Sequence, residues 1–129
     1  MTSLDKTRAL IAQLAAALGL PSLPSDNNNG TPLEIDGRTV LIYGGDDESI
    51  LLVAPVAPLP EEPGYGLTAY LLRKNLFQSD LAPFQVALDD GGTVVVWGRL
   101  QIADLDGAVL AAVLKRLAQR VGDIAGEMG

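Results

Sequence analysis

The side chains from which this sequence could assemble chemistry are five serines, three lysines and two acidic turns. Ser3, Ser22, Ser25, Ser49 and Ser79 have no histidine to activate them, because the chain contains none. None of them falls in the strand-to-helix elbow of a hydrolase nucleophile. A lysine-activated serine would need a desolvated amine, whereas Lys6, Lys74 and Lys115 fall at positions expected on solvated helix surfaces. The acidic turns Asp46-Asp47-Glu48 and Asp89-Asp90 offer oxygens to Ca²⁺ or Mg²⁺. They lack the alternating ligands and distant glutamate of an EF-hand loop, and acidic residues are ordinary at hairpin tips. The glycine-rich turns have no Gly-Lys-Ser/Thr ending for phosphate. Absence of cysteine removes disulfides and thiolate metal sites, and absence of histidine removes the commonest transition-metal ligand. The residues therefore predict no enzyme, no catalytic residues, no cofactor and no metal.

The totals bound the alternatives. A length of 129 residues and a mass of 13.5 kDa predict a single domain over 1–129. A hydrophobic content of 48% and a mean hydropathy of +0.26 are enough for a packed core. The net charge of -7 argues against nucleic acid and against anionic lipid, both of which need a basic face. It suits solubility and a basic partner. Residues 9–20, preceded by Lys6 and Arg8, have the look of a signal-peptide core. Asp5 in the would-be basic region, Gln13 within the apolar run and the want of a small-x-small cleavage site favour a helix with a buried stripe. No run approaches the ~18 apolar residues of a membrane span, so a cytoplasmic protein is expected.

These side chains must be carried on a definite series of elements. Residues 3–18 predict a helix, capped by Thr2 or Ser3, with Leu4, Ile11, Leu14, Ala15 and Leu18 on one stripe. Gly19 and Pro21 end it, and residues 21–30 are expected as a loop. Strands follow at 33–35, 38–43 and 49–56, the first two joined by the hairpin signal Asp36-Gly37. Pro55, Pro58, Pro60 and Pro63 then predict a crossover outside the sheet. A second helix is expected over 66–77, strands over 84–88 and 93–102, and a last helix from a cap near Asp104 to about residue 125. Its stripe reads Leu105, Val109, Val113, Leu117, Val121 and Ile124, widened by Leu110 and Leu114. The predicted class is α+β: helix, three strands, helix, two strands, helix, with a twisted antiparallel sheet packed by helices.

The informative feature is that some strands are apolar on both faces. Val94, Val96, Leu100 and Ile102 alternate with Val95 and Trp97; Ile50, Leu52, Ala54 and Val56 alternate with Leu51 and Val53. An antiparallel sheet in so small a domain normally has one polar face. Either the helices divide between the two faces, or a second copy covers Val95, Trp97 and part of the second helix.

Three short stretches, Leu71-Leu72-Arg73-Lys74-Asn75-Leu76-Phe77, residues 84–92 and Arg99-Leu100-Gln101-Ile102 before Leu105-Asp106, together with the order of elements, resemble the class I type III secretion chaperones, the Tir-chaperone (CesT-like) family. Leu71-Leu72-Arg73-Lys74-Asn75-Leu76-Phe77 is similar to that family's Leu-Leu-x-x-Asn-Leu-Phe helix. Residues 84–90 with Gly91-Gly92 resemble its fourth strand and turn. Arg99-Leu100-Gln101-Ile102 before Leu105-Asp106 resembles its Arg-Leu-Pro-Leu segment, with Gln101 in place of proline. The resemblance implies a homodimer that binds the N-terminal segment of a secreted effector in extended form and keeps it partly unfolded for export, without turnover. Candidate effector-binding residues are Leu33, Ile35, Val40, Ile42 and Leu51; candidate dimer residues are Tyr70, Lys74, Phe77, Val95 and Trp97, while Asn75 caps or bridges within the second helix. Two other readings stay open at this point: an adaptor or regulator of the same fold without an effector client, and a small-ligand or metal-binding protein using the acidic turns.

Overall fold

The structure, a computed structural model, describes residues 3–20, 31–44, 49–77 and 79–129. The order is α1 (Ser3–Ala17), β1 (Thr31–Ile35), β2 (Arg38–Gly44), β3 (Ser49–Pro58), α2 (Gly64–Arg73), β4 (Gln85–Leu88), β5 (Thr93–Gln101), a 3-10 turn (Ile102–Asp104) and α3 (Gly107–Met128). The strands form one antiparallel sheet in the order β1-β2-β3-β5-β4. The expected α+β class and element order hold. The loop predicted over 21–30, the turn 45–48 and the Thr2 cap lie outside the described residues.

Local chemistry explains most boundaries. Asp36 and Gly37 take φ of 51° and 80°, so a two-residue turn joins β1 to β2 and pairs Ile35 with Arg38. At the β4–β5 hairpin, Asp89 Oδ1 accepts from the amides of Gly91 and Thr93, each at 2.9 Å, and that oxygen is thereby used in the turn. The α3 cap is Asp106, whose carboxylate accepts from the Val109 amide at 2.8 Å, two residues later than the predicted Asp104. Asp104 sits in the 3-10 turn that precedes the cap.

Two expectations are corrected. Strand β3 runs on through Pro55 to Pro58 instead of stopping at residue 56. Strand β2 pairs with β3 no further along than Val53, so Pro55 has no neighbour on that side and its missing amide costs no ladder bond. Helix α2 ends at Arg73, not near 77, and Lys74, Asn75 and Leu76 form turns whose amides reach back to Leu71, Leu72 and Arg73.

Helices α1 and α3 pack on one another and α3 crosses β3, β2 and β1. Leu14, Val40, Ile50, Leu52, Ala54, Val96, Leu110 and Leu114 have no solvent exposure. Within α3 the buried stripe centres on Leu110, Leu114, Leu117, Val121 and Ile124, which turns Val109 outward to 43% exposure. Gly107 lets the two helices touch, since a Cβ there would collide with the Gln13 backbone, and its amide donates to Gln13 Oε1 at 3.2 Å. Helix α2 joins this same layer at the β4 end, where Leu71, Leu81 and Phe84 enter the core.

Candidate functional site

Because all three helices share one side of the sheet, the alternate residues face away from them. The pairing Leu41–Val53–Trp97–Gln85 runs across four strands, flanked by Tyr43–Leu51–Arg99 and Pro55–Val95–Ala87. Leu41, Tyr43, Leu51, Val53, Val95 and Trp97 are half-buried on the face turned away from the described helices. Of the two readings for the doubly apolar strands, the fold takes the one in which the helices do not divide between the faces.

A second apolar surface lies where α2 meets β4. Leu72, Leu76, Phe77 and Leu88 are exposed by 65%, 58%, 84% and 55%. Leu72 and Leu88 rim a hollow floored by Leu71, Val86 and Val94, and Leu76 and Phe77 line an adjoining one against Pro83. Asn75 borders both hollows. Exposed apolar clusters of this kind mark contact surfaces.

The segment after α2 is held by polar contacts. Lys74 donates to Asp80 at 3.1 Å and stands 5.2 Å from the centroid of the Tyr70 ring. Their hydrogen bond holds the Asp80 carboxyl below the ordinary carboxylate value and the Lys74 amine above the ordinary lysine value. Ser79 Oγ donates to the Lys74 carbonyl at 2.7 Å. From α3, Arg120 lies 3.8 Å from Asp80, and Arg116 donates to the carbonyls of Asp80 and Ala82.

These placements sort the predicted site residues. Leu33, Ile35, Val40 and Ile42 are 4%, 5%, 0% and 1% exposed, in the core beneath the helices. They are not groove walls, because the Asp36-Gly37 turn fixes a register that puts all four on the helix side. Leu51 alone of that set lies on the open face. Val95 and Trp97 also lie on the open face, and Phe77 is freely exposed. Tyr70 and Lys74 are half-buried and engaged within the chain. Asn75 stands outside the helix and bonds to Val86 of β4. Leu41, Val53, Leu72, Leu76 and Leu88 were not among the predicted residues. Leu72 and Leu76 stand inside the quoted Leu-Leu-x-x-Asn-Leu-Phe stretch, so their apolar types were a signal available in the sequence.

No arrangement of a nucleophile with a base appears among the described residues. Ser49 is buried and accepts from Arg99 at 3.4 Å, while Ser79 serves the loop. No group of three or more acidic residues placed to hold a metal occurs among the described residues. No helix among them is long and apolar enough to cross a membrane.

Comparison with known proteins places this geometry. The model of the Tir chaperone protein (CesT) family matches residues 9–124. The chaperone protein YscB of Yersinia pestis is 32% identical over 112 residues, which are 83% of this chain and 80% of that protein. Among solved structures, the heterodimeric ExoU–SpcU complex from the type III secretion system of Pseudomonas aeruginosa aligns with a TM-score of 0.74 and 26% identity, over 91% of this chain and 95% of that one. The Yersinia pestis type III secretion chaperone SycH, in complex with a stable fragment of YscM2, aligns with a TM-score of 0.74 over 91% of this chain and 98% of its own; at 24% identity it speaks for the fold alone. This chain belongs to the Tir chaperone (CesT) family.

Proposed function

We propose that this chain is a cytoplasmic chaperone that binds the N-terminal segment of a secreted effector, keeps it partly unfolded for type III export, and acts as a homodimer of one-domain protomers without catalytic turnover. The observation that carries this reading is a sheet face that none of the described helices covers: Leu41, Leu51, Val53, Val95 and Trp97 form a continuous apolar surface with those helices all on the other side. A similar solved structure, at 26% identity, is the heterodimeric complex ExoU–SpcU of a type III secretion system.

The two apolar surfaces divide the work. Phe77, Leu72, Leu76 and Leu88 at the α2–β4 corner, together with Val95 and Trp97 on the open face at the β4–β5 end, meet a second copy. A two-fold axis makes such a patch self-complementary, and an interface of ordinary size buries about 1,600 Å². Leu41, Leu51 and Val53 at the β2–β3 end take apolar side chains of an extended client, whose backbone stays unfolded because alternate residues are what the surface accepts. Tyr70 and Lys74 act by pinning the segment that carries Phe77. The charge of -7 favours basic client segments and makes their association salt-sensitive.

Co-expression with N-terminal effector segments, followed by sizing with mass measurement, tests the reading. The expected product is a complex of two chains with one client segment. Chains that elute free of every such segment would contradict it.

A further inference from the structure

The sheet has two edges, β1 and β4, and they are finished in different ways. On β4 the Asn75 carboxamide engages both backbone groups of one residue. The Val86 amide donates to Asn75 Oδ1 at 2.6 Å, and Asn75 Nδ2 donates to the Val86 carbonyl at 3.1 Å. A carboxamide presents an acceptor and a donor side by side, as the next strand of a sheet would. Val86 is paired with Val96, yet its amide and carbonyl point away from β5, as those of alternate residues do in an antiparallel strand. Asn75 thus occupies the place of one residue of a sixth strand. It is held there because α2 stops at Arg73 and the following segment is tied down by Ser79, Asp80 and Arg116.

On β1 the two-residue turn makes Ile35–Arg38 a hydrogen-bonded pair, so Leu33 and Thr31 also bond to β2 while Pro32 and Glu34 face outward. This edge offers the Pro32 carbonyl and both groups of Glu34, with no side chain bonded to them among the described residues. Pro32 narrows the edge by removing one donor, but it does not close it.

We propose that Asn75 is a positioning residue that locks the β4 edge against backbone pairing, and so confines strand addition by an extended polypeptide to β1. The chaperone reading supplies the identity of that polypeptide; the lock itself is a property of the chain alone, and it is tested on the chain alone. Failure of effector binding would therefore leave it standing, and its own failure would leave effector binding standing.

The test is amide hydrogen exchange of the full chain, wild type against Asn75→Ala, with the mass of both measured at equal concentration. Exchange at Val86 is expected to speed up by about 10-fold or more in the variant, because loss of that bond frees its amide to water. The amides of Val95 and Trp97, which face β4 by the same alternation, should stay unchanged and report an intact β4–β5 ladder. The unlocked edge should then pair with another copy, raising the mass about twofold over wild type. Unchanged exchange at Val86, or faster exchange with the mass of the wild type, would overturn the proposal. If Asn75→Ala also loses protection at Val95 and Trp97, Asn75→Ser is measured instead. Its side chain is too short to span both groups of Val86, and the same outcomes decide.

Discussion

The two faces of this sheet are similar in composition and opposite in cover. Along β3, Ile50, Leu52 and Ala54 have zero exposure beneath the helices, while Leu51 and Val53, their immediate neighbours, are half-buried with no helix above them. In an ordinary small antiparallel domain the uncovered face would be polar, because alternation sorts the side chains as it sorts the environments. Here the alternation sorts environments only. Among the described residues, no helix covers the second face.

The comparison is sharpest in paired substitutions within one strand. Leu52→Ala should lower unfolding stability by about 2–5 kcal/mol, since it leaves a cavity in a sealed core. Val53→Ala, one residue along, should cost about 1 kcal/mol or less in the isolated chain, where the side chain is already half in water. Denaturant melts of both would break the comparison if the two costs were equal. Gly107→Ala tests the sealed side at its tightest contact: the added methyl meets the Gln13 backbone, which cannot swing away as a side chain would. A loss of about 1–3 kcal/mol is expected, against a gain of up to about 1 kcal/mol for Gly122→Ala inside the same helix, where nothing lies within 4 Å and alanine is the better helix former.

The smallest effect belongs to the Lys74–Asp80 pair beside the α2–β4 corner. The Asp80 carboxyl is lowered, chiefly by its hydrogen bond with Lys74, so its contribution is present above the unfolded carboxylate value of about 3.9 and is lost as pH falls through the folded value. Lys74 is raised, chiefly by the same bond, so its contribution is present below about 10.4 and is lost as pH rises through the folded value. Side chains 21% and 49% exposed make this a matter of tenths of a kcal/mol. Asp80→Asn should flatten the acid limb of the stability profile by about that amount, as read from urea melts across pH.

Much of the fold was legible because turns and periodicity act locally. Asp36-Gly37 marked its hairpin, and the apolar stripe of α3 marked the long helix, by chemistry contained within a few residues. Pro58 misled, because whether a strand runs on into proline depends on where the neighbouring strand stops, which is a tertiary fact. Asp106 and Asp104 are equivalent as caps until the 3-10 turn decides between them. The site was harder to read. Leu33, Ile35, Val40 and Ile42 are as apolar as Leu41 and Leu51, and the parity that faces the helices is set by register and packing together. Asn75 was expected to act inside its helix; ending the helix at Arg73 freed it to reach Val86, 11 residues on.

If a second copy helps to cover the open sheet face, the mass of the chain in solution shows it most directly. Light scattering on the protein without client should give twice the 13.5 kDa of one chain, and Trp97→Asp should move it towards monomer or aggregate. A wild-type mass of one chain, unchanged by Trp97→Asp, would contradict the account.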